Sequence, residues 1–120
     1  MELGEKQELF SVCLAKLILY IDSQGWKARL GDGCILPERK IYVNGATVRG
    51  QDRVHMNPGC HYYLLAQDIN LFVDGEWITD GGDPKWGLLA DFWRNLDPLC
   101  TPGYDFGDSN HFSIGHNGKR

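Results

Sequence analysis

The sequence lacks both the cysteine pattern of a structural zinc knuckle and the segments that direct a chain to a membrane. Its four cysteines form no CxxC pair, so a zinc site built from paired thiolates is not expected. The longest apolar run near the N-terminus, LFSVCLAKLILYI, is interrupted by Lys16 and follows no basic leader. We therefore expect neither a signal peptide nor a stable membrane association. Without an export signal, the thiols are expected to stay reduced.

The chain also lacks an excess of positive charge. Sixteen acidic against twelve basic side chains give a formal net charge of -4, whereas proteins held to nucleic acid by its phosphates carry a basic stripe. A nucleic-acid partner is therefore not expected. The 120 residues contain no internal repeat or linker, and this length supplies one hydrophobic core. Residues 1–120 are expected to form a single domain and a monomer.

Apolar residues at helical spacing predict two helices. The first is expected from about Glu5 to Ile21, where the apolar residues fall on one face of the helix. The second is expected to begin with Asp83 as N-cap and Pro84 as the first helical residue, and to end before Pro98. The apolar positions that define the two helices are Phe10, Leu14, Leu17 and Ile21, and Trp86, Leu89, Trp93 and Leu96.

Several short segments have the composition of strands. The segment WKARL alternates apolar and charged residues, IYV and ATV flank Asn44-Gly45, and AQDINLFV and EWIT flank Asp74-Gly75. Both dipeptides are typical of two-residue hairpin turns. HFSI is the last predicted strand, and LCTPGYDFGDSN before it is predicted to be a loop. We therefore expect an α+β fold with a small antiparallel sheet flanked by two helices.

Four side chains suited to metal binding lie beside two apolar strands. They are His61, Asp68, Asp108 and His111. Two histidines and one carboxylate, with a fourth position left to water, hold Zn²⁺ in hydrolytic sites, and a further carboxylate can act as a base. Each residue taken alone is also compatible with a structural role in a strand or turn, and spacing alone leaves that choice open.

The two segments that carry these residues resemble a known family. HYYLLAQD from His61 to Asp68 is similar to the HxxxxAxD core of an SxHxxGxAxD pattern, and DSNH from Asp108 to His111 is similar to a downstream (D/E)xxH pattern. Both patterns occur, in this order, in the zinc peptidases that include D-alanyl-D-alanine carboxypeptidases and phage L-alanyl-D-glutamate endopeptidases. Roughly residues 15 to 115 resemble the small phage-encoded branch of that family.

The resemblance implies a function and a division of roles. His61, Asp68 and His111 would bind one Zn²⁺ per chain, and Asp108 would be the catalytic base. The implied fold is that of the hedgehog and D-alanyl-D-alanine peptidase domains, and the implied reaction is hydrolysis of an amide bond in the peptide part of bacterial peptidoglycan. Such a phage or prophage lysis enzyme (endolysin) would be made in the host cytoplasm and would act on the cell wall.

The sequence departs from the family pattern at three places. Gly59 stands where the family usually has serine, and Leu64 stands where it has glycine. An upstream arginine that helps to stabilise the oxyanion is not evident, and nothing in the sequence selects among its possible replacements, which are Arg39, Arg49 and Arg53.

These departures keep a second function open, a catalytically impaired relative that binds the cell wall without cutting it. A metal-dependent nuclease is a third alternative, which the acidic composition disfavours. Among the aromatic residues, Trp86 and Trp93 fall on the apolar face of the second helix and are expected in the core. For Trp77 the sequence leaves two roles open, stacking against a sugar at the surface or a structural role.

Overall fold

The computed structural model describes residues 1–31, 40–43, 46–49, 64–116 and 118 of the chain. Within these residues, a pair of helices packs against a small antiparallel sheet, which confirms the predicted α+β class. The helices are α1, Leu3–Ser23, and α2, Pro84–Arg94. The strands are β1, Lys27–Leu30; β2, Lys40–Val43; β3, Ala46–Arg49; β4, Ala66–Val73; β5, Glu76–Trp77; β6, Cys100–Pro102; and β7, His111–Ile114.

Strand β4 is the centre of the main sheet. The strand order is β1-β4-β7-β6, and β5 pairs with the far end of β4. All of these pairs are antiparallel. Strands β2 and β3 form a separate antiparallel hairpin on either side of the predicted Asn44-Gly45 turn, which itself lies outside the described residues. Because β4 pairs with β7, segments that are distant in sequence become neighbours.

The second helix begins at its predicted signal, whereas α1 begins at Leu3, two residues before the predicted start, with a capping interaction that was not predicted. The side chain of Glu5 accepts a hydrogen bond of 3.1 Å from the backbone N–H of Glu2 at the start of α1. At the start of α2, the side chain of Asp83 accepts a hydrogen bond of 2.9 Å from the N–H of Lys85. Pro84 follows as the first helical residue, where its missing N–H has no cost because that donor has no partner within the helix.

The core lies between the helices and one face of the sheet, and Trp93 is at its centre. The Trp93 ring packs edge to face against Phe10 of α1 at 5.9 Å and against Phe112 of β7 at 5.6 Å. Its indole N–H donates a 3.0 Å hydrogen bond to the carbonyl of Ser113. Burying a side chain of this size contributes roughly 1.5–3 kcal/mol, and α2 is thereby fixed to the strand that carries His111.

The core also contains two thiols. Cys13 and Cys100 are free cysteines, both buried, with their sulfur atoms 3.7 Å apart. Burial raises the pKa of the Cys100 thiol, because the apolar surroundings disfavour the thiolate. These two thiols therefore belong to the packing of α1 on β6.

The loop prediction for the segment between α2 and β7 was wrong for several of its residues. The segment contains the edge strand β6 and a 3₁₀ helix, Gly103–Phe106. Cys100 pairs with Ile114 and Pro102 with Phe112 across the β6–β7 ladder. Proline removes one donor from a ladder but is tolerated in edge strands, so its presence did not prevent pairing. No helix in the described residues has the length and apolarity needed to cross a membrane.

Candidate metal centre

Asp68 and His111 are cross-strand partners in the middle of the main sheet. They occupy directly opposite positions in the antiparallel register of β4 and β7, and directly opposite residues of a sheet project from the same face. Nδ1 of His111 lies 3.4 Å from Oδ1 of Asp68. The backbone on both sides of Asp68 is fixed, because its carbonyl accepts from the N–H of Gly31 and the N–H of Ile69 donates to the carbonyl of Asn110, each at 2.8 Å.

Asp108 reaches the same place through a tight turn. The N–H of His111 donates to the carbonyl of Asp108 at 3.0 Å, and the N–H of Asp108 donates to the carbonyl of Gly103 at 2.8 Å. The turn directs Oδ2 of Asp108 to within 3.9 Å of Nδ1 of His111. The ligand atoms of Asp68, Asp108 and His111 all lie within 4.8 Å of one another, so these three residues could hold a metal ion.

The distance between Asp68 and His111 matches the spacing of two ligands on a small divalent ion. Ligand bonds of about 2.0–2.2 Å place two ligand atoms of a tetrahedral site about 3.3–3.6 Å apart, and the Asp68–His111 separation of 3.4 Å falls in this range. The Asp108–His111 separation of 3.9 Å is longer. Two carboxylates beside one imidazole also concentrate negative charge, which a bound cation offsets.

The three side chains differ in exposure. His111 is 6% exposed, Asp68 20% and Asp108 53%. The imidazole and the first carboxylate therefore form a recessed pair, whereas the second carboxylate faces solvent. Such a difference suits a division between two groups that bind an ion and one that exchanges protons with water or substrate.

A glycine and an aromatic ring shape the pocket around His111, and sequence reasoning missed both. A Cβ placed on Gly103 would lie 2.7 Å from the Cβ of His111 and 2.9 Å from its carbonyl oxygen, and would also overlap the carbonyl of Asp108. The ring of Phe106 packs against the imidazole at 5.7 Å with an angle of 62°. The glycine was included in the predicted loop, and nothing in the local sequence shows that it lies close to Asp108 and His111.

The 3₁₀ helix that carries Gly103 and Phe106 is attached to α2 by an ion pair. Arg94 donates to Asp105 at 2.5 Å and to Asp91 at 2.6 Å. Hydrogen bonding to Asp105 raises the pKa of Arg94. All three side chains are largely exposed, so the pair contributes little energy by itself. Its role is to connect the 3₁₀ helix, which packs against His111, to α2.

The structure brings together three of the four predicted site residues. Asp68, Asp108 and His111 converge as the motifs suggested. His61 lies outside the described residues, as do Gly59 and two of the three arginines considered as replacements, Arg39 and Arg53; the side chain of the third, Arg49, is also not described. As predicted, Trp86 and Trp93 are buried in the core, while Trp77 is 55% exposed.

The backbone at Leu64 bears on one departure from the family pattern. Leu64 has a φ of 59°, in the left-handed region that glycine adopts readily and that costs other residues roughly 1–2 kcal/mol. This is the position at which the resembling family has glycine. Leu64 thus adopts a left-handed backbone conformation that glycine would fit better, four residues before Asp68 on the approach to β4.

Comparisons of the chain with protein-family models, with curated proteins and with solved structures find no match.

The arrangement of the site itself is that of an open, asymmetric donor set. It has an imidazole and a carboxylate at ligand distance and a second carboxylate at its exposed edge. Such a set can bind a divalent cation and can accept a proton next to it.

Proposed function

We propose that the protein is a zinc-dependent peptidase that hydrolyses an amide bond in the peptide part of bacterial peptidoglycan, and that it serves a phage or prophage as a lysis enzyme. The observation that carries the proposal is the Asp68–His111 pair at 3.4 Å with Asp108 one turn away. Three residues named by two separate motifs converge on one point of the sheet. A chance similarity of either motif gives no reason for that convergence.

The donor set supports zinc as the metal. Asp68 and His111 would bind it together with His61, the ligand that the motif resemblance adds from the segment preceding β4. Nitrogen and carboxylate ligands suit zinc, whereas magnesium and calcium prefer sites made of oxygen alone. A bound zinc ion supplies a Lewis acid that polarises a substrate carbonyl and makes water a stronger nucleophile near neutral pH.

Asp108 is the residue that would move the proton. Its carboxylate is 53% exposed and lies 3.9 Å from Nδ1 of His111, so water and substrate can reach it at the edge of the site. It would accept a proton from the attacking water and donate it to the departing amine. A positioned general base of this kind contributes about 10²- to 10⁴-fold to the rate.

The scaffold supports the same roles. The ring of Phe106 packs against the imidazole of His111, and Gly103 lies close to the Cβ and backbone of the same residue. The backbone hydrogen bonds of Gly31 and Ile69 fix the strand at Asp68. A rigid site on paired strands keeps catalytic groups in position without the loss of entropy that a loop would incur. The left-handed turn at Leu64, where the family has glycine, also supports the resemblance.

Mass spectrometry of muropeptides tests the proposal. Purified muropeptides are incubated with the zinc-loaded protein, with the chelated protein and with the Asp68→Asn variant. We expect a fragment whose mass identifies a single cleaved amide bond with the loaded protein, and no fragment with the other two. Glu76→Gln is the matched control, since it removes one carboxylate from exposed strand β5 and should leave cleavage unchanged.

The same experiment separates the alternatives. A protein that binds zinc but releases no fragment from any muropeptide would contradict the peptidase proposal and favour the impaired relative that binds the cell wall. Magnesium-dependent nicking of a plasmid by the same preparation would instead favour the nuclease.

A further inference from the structure

A cleft of about 250 Å³ lies next to the candidate metal-binding residues Asp68, Asp108 and His111. The proposed mechanism gives no role to most of the residues that line this cleft. It lies along β4 between the segment that follows β5 and the turn that precedes β7. Asp108 belongs both to its wall and to the metal group. A ligand in the cleft would therefore sit next to the reacting bond.

The cleft is lined by neutral hydrogen-bonding groups and by indole rings. The polar residues that line it include Asn70 and Asn110, which carry amides, and Thr79 and Ser109, which carry hydroxyls. Among the residues that the structure describes, no lysine or arginine lines it. An anionic ligand would find no counter-charge and would face the carboxylate of Asp108, whereas a neutral ligand with hydroxyl and amide groups matches both donors and acceptors.

Trp77 gives the cleft an aromatic wall that is exposed and held in place. The indole is 55% exposed and lies nearly parallel to the ring of Phe72, its cross-strand partner, at 6.1 Å and 13°. On Phe72 itself the guanidinium carbon of Arg29 lies 3.9 Å from the ring centre. The orientation of Trp77 is therefore set before any ligand arrives, which lowers the entropy cost of stacking on it.

The opposite wall is also fixed. The hydroxyl of Ser109 donates a 2.8 Å hydrogen bond to the carbonyl of Gly81, and a Cβ at Gly81 would stand 3.0 Å from that hydroxyl oxygen. The turn from Asp108 to His111 is thus connected to the segment after β5 across the cleft. Its width is determined by the fold rather than by a loop that closes on the ligand.

We propose that this cleft binds one N-acetylated sugar ring of the glycan strand, with the ring stacked on Trp77. The inference rests on the proposed function and extends it: the substrate is a peptide still attached to glycan. An indole face packs against the C–H face of a sugar, and the amides of Asn70 and Asn110 suit an acetamido group. The volume fits a single ring rather than a chain.

A titration of the metal-free protein with a tetramer of N-acetylglucosamine tests the site without zinc or cleavage. We expect a saturable change in tryptophan fluorescence with a Kd on the order of 1 mM, a weak affinity for a site of one ring. Trp77→Ala should weaken binding at least tenfold. Trp77→Phe, which keeps an aromatic surface in the same position, should retain some of the affinity and also checks that the fold tolerates change at Trp77. Binding to the variants is followed by calorimetry, since they lack the reporting indole.

Two controls make the result specific. Tyr104→Ala removes another exposed aromatic ring, 40% exposed and outside the cleft, and should leave the Kd unchanged. A glucose tetramer without acetamido groups should bind at least fivefold more weakly. Equal binding by the parent and Trp77→Ala, equal binding of the two tetramers, or no binding would overturn the sugar site.

The outcomes also distinguish this proposal from the peptidase proposal. Sugar binding by a protein that cleaves no muropeptide would leave the sugar site standing and remove the peptidase. Cleavage of stem peptides with and without glycan at equal rates, together with an absence of sugar binding, would leave the peptidase standing and remove the sugar site.

Discussion

Oδ1 of Asp68 and Nδ1 of His111 lie 3.4 Å apart across the β4–β7 pair. The two residues are brought together by the sheet register rather than by their distance in sequence. A one-residue slip of β7 would turn His111 to the opposite face, so the site depends on the core packing of Phe112 and Ile114, both fully buried. The hydrophobic pattern of β7 thus fixes the position of the imidazole.

Zinc should stabilise the fold, because it would bind Asp68 of β4 and His111 of β7 together in the folded state only. At a free zinc concentration one hundred times the Kd, binding adds about 2.7 kcal/mol to the free energy of unfolding. For a domain of this size this corresponds to a rise in Tm of about 10 °C. Thermal unfolding followed by circular dichroism, with zinc and with a chelator, measures the shift. Asp68→Asn should have the same Tm with zinc and with the chelator. A parent protein whose Tm is unchanged by the chelator would contradict a metal site shared by β4 and β7.

Asp108→Asn should separate metal binding from catalysis. The amide is nearly isosteric with the carboxylate but accepts no proton, so activity on peptidoglycan should fall by roughly 10²- to 10⁴-fold while zinc content stays at the parent level. Zinc is measured by elemental analysis and muropeptide cleavage is measured in parallel. Loss of zinc would identify Asp108 as a ligand, and full zinc with full activity would show that it is a turn residue.

Gly103→Ala should displace His111 and so weaken the candidate metal site. Its Cβ would lie 2.7 Å from the Cβ of His111, and overpacking of this kind costs roughly 1–3 kcal/mol. We expect lower stability in urea and weaker zinc binding together. Gly87→Ala is the matched control, because Gly87 lies inside α2 and its added Cβ would meet Tyr104 at an ordinary van der Waals distance of 3.6 Å. This substitution should raise the free energy of unfolding by about 0.5–1 kcal/mol. Equal effects of the two substitutions would show that the close approach of Gly103 to His111 and Asp108 does not matter.

Leu64→Gly should stabilise the protein. The φ of 59° is unfavourable for leucine, and its side chain is 52% exposed, so little packing is lost with it. We expect a gain of about 0.5–1 kcal/mol in the free energy of unfolding, measured in urea. Leu19→Gly, at an exposed position inside α1, should instead lose about 1 kcal/mol. A loss at both positions would contradict the strained turn.

The helices and most strands could be predicted from the sequence because their signals are local. Asp83-Pro84 starts α2, and Asp74-Gly75 turns between β4 and β5 with φ values of 52° and 78°, as expected for a hairpin of this composition. The same holds for β7, whose apolar run is bounded by polar turn residues. These elements follow from side-chain periodicity and backbone preference alone.

The remaining features depend on contacts between distant segments. The strand β6 exists because β7 offers an edge, and its proline gave no reason to expect pairing. The roles of Gly103 and Phe106 follow from their contact with His111, which no spacing rule indicates. The convergence of Asp68, Asp108 and His111 was expected from family resemblance; physical reasoning from the residues alone left each of them open to a structural role.

Zinc content after dialysis tests the central claim most directly. The parent, Asp68→Asn, His111→Gln and the exposed control Glu76→Gln are loaded with zinc, dialysed and measured by elemental analysis. We predict about one zinc per chain in the parent and in Glu76→Gln, and loss of zinc in both site variants, with circular dichroism confirming that they remain folded. A folded parent that retains no zinc, or site variants that retain as much zinc as the parent, would contradict the metal centre.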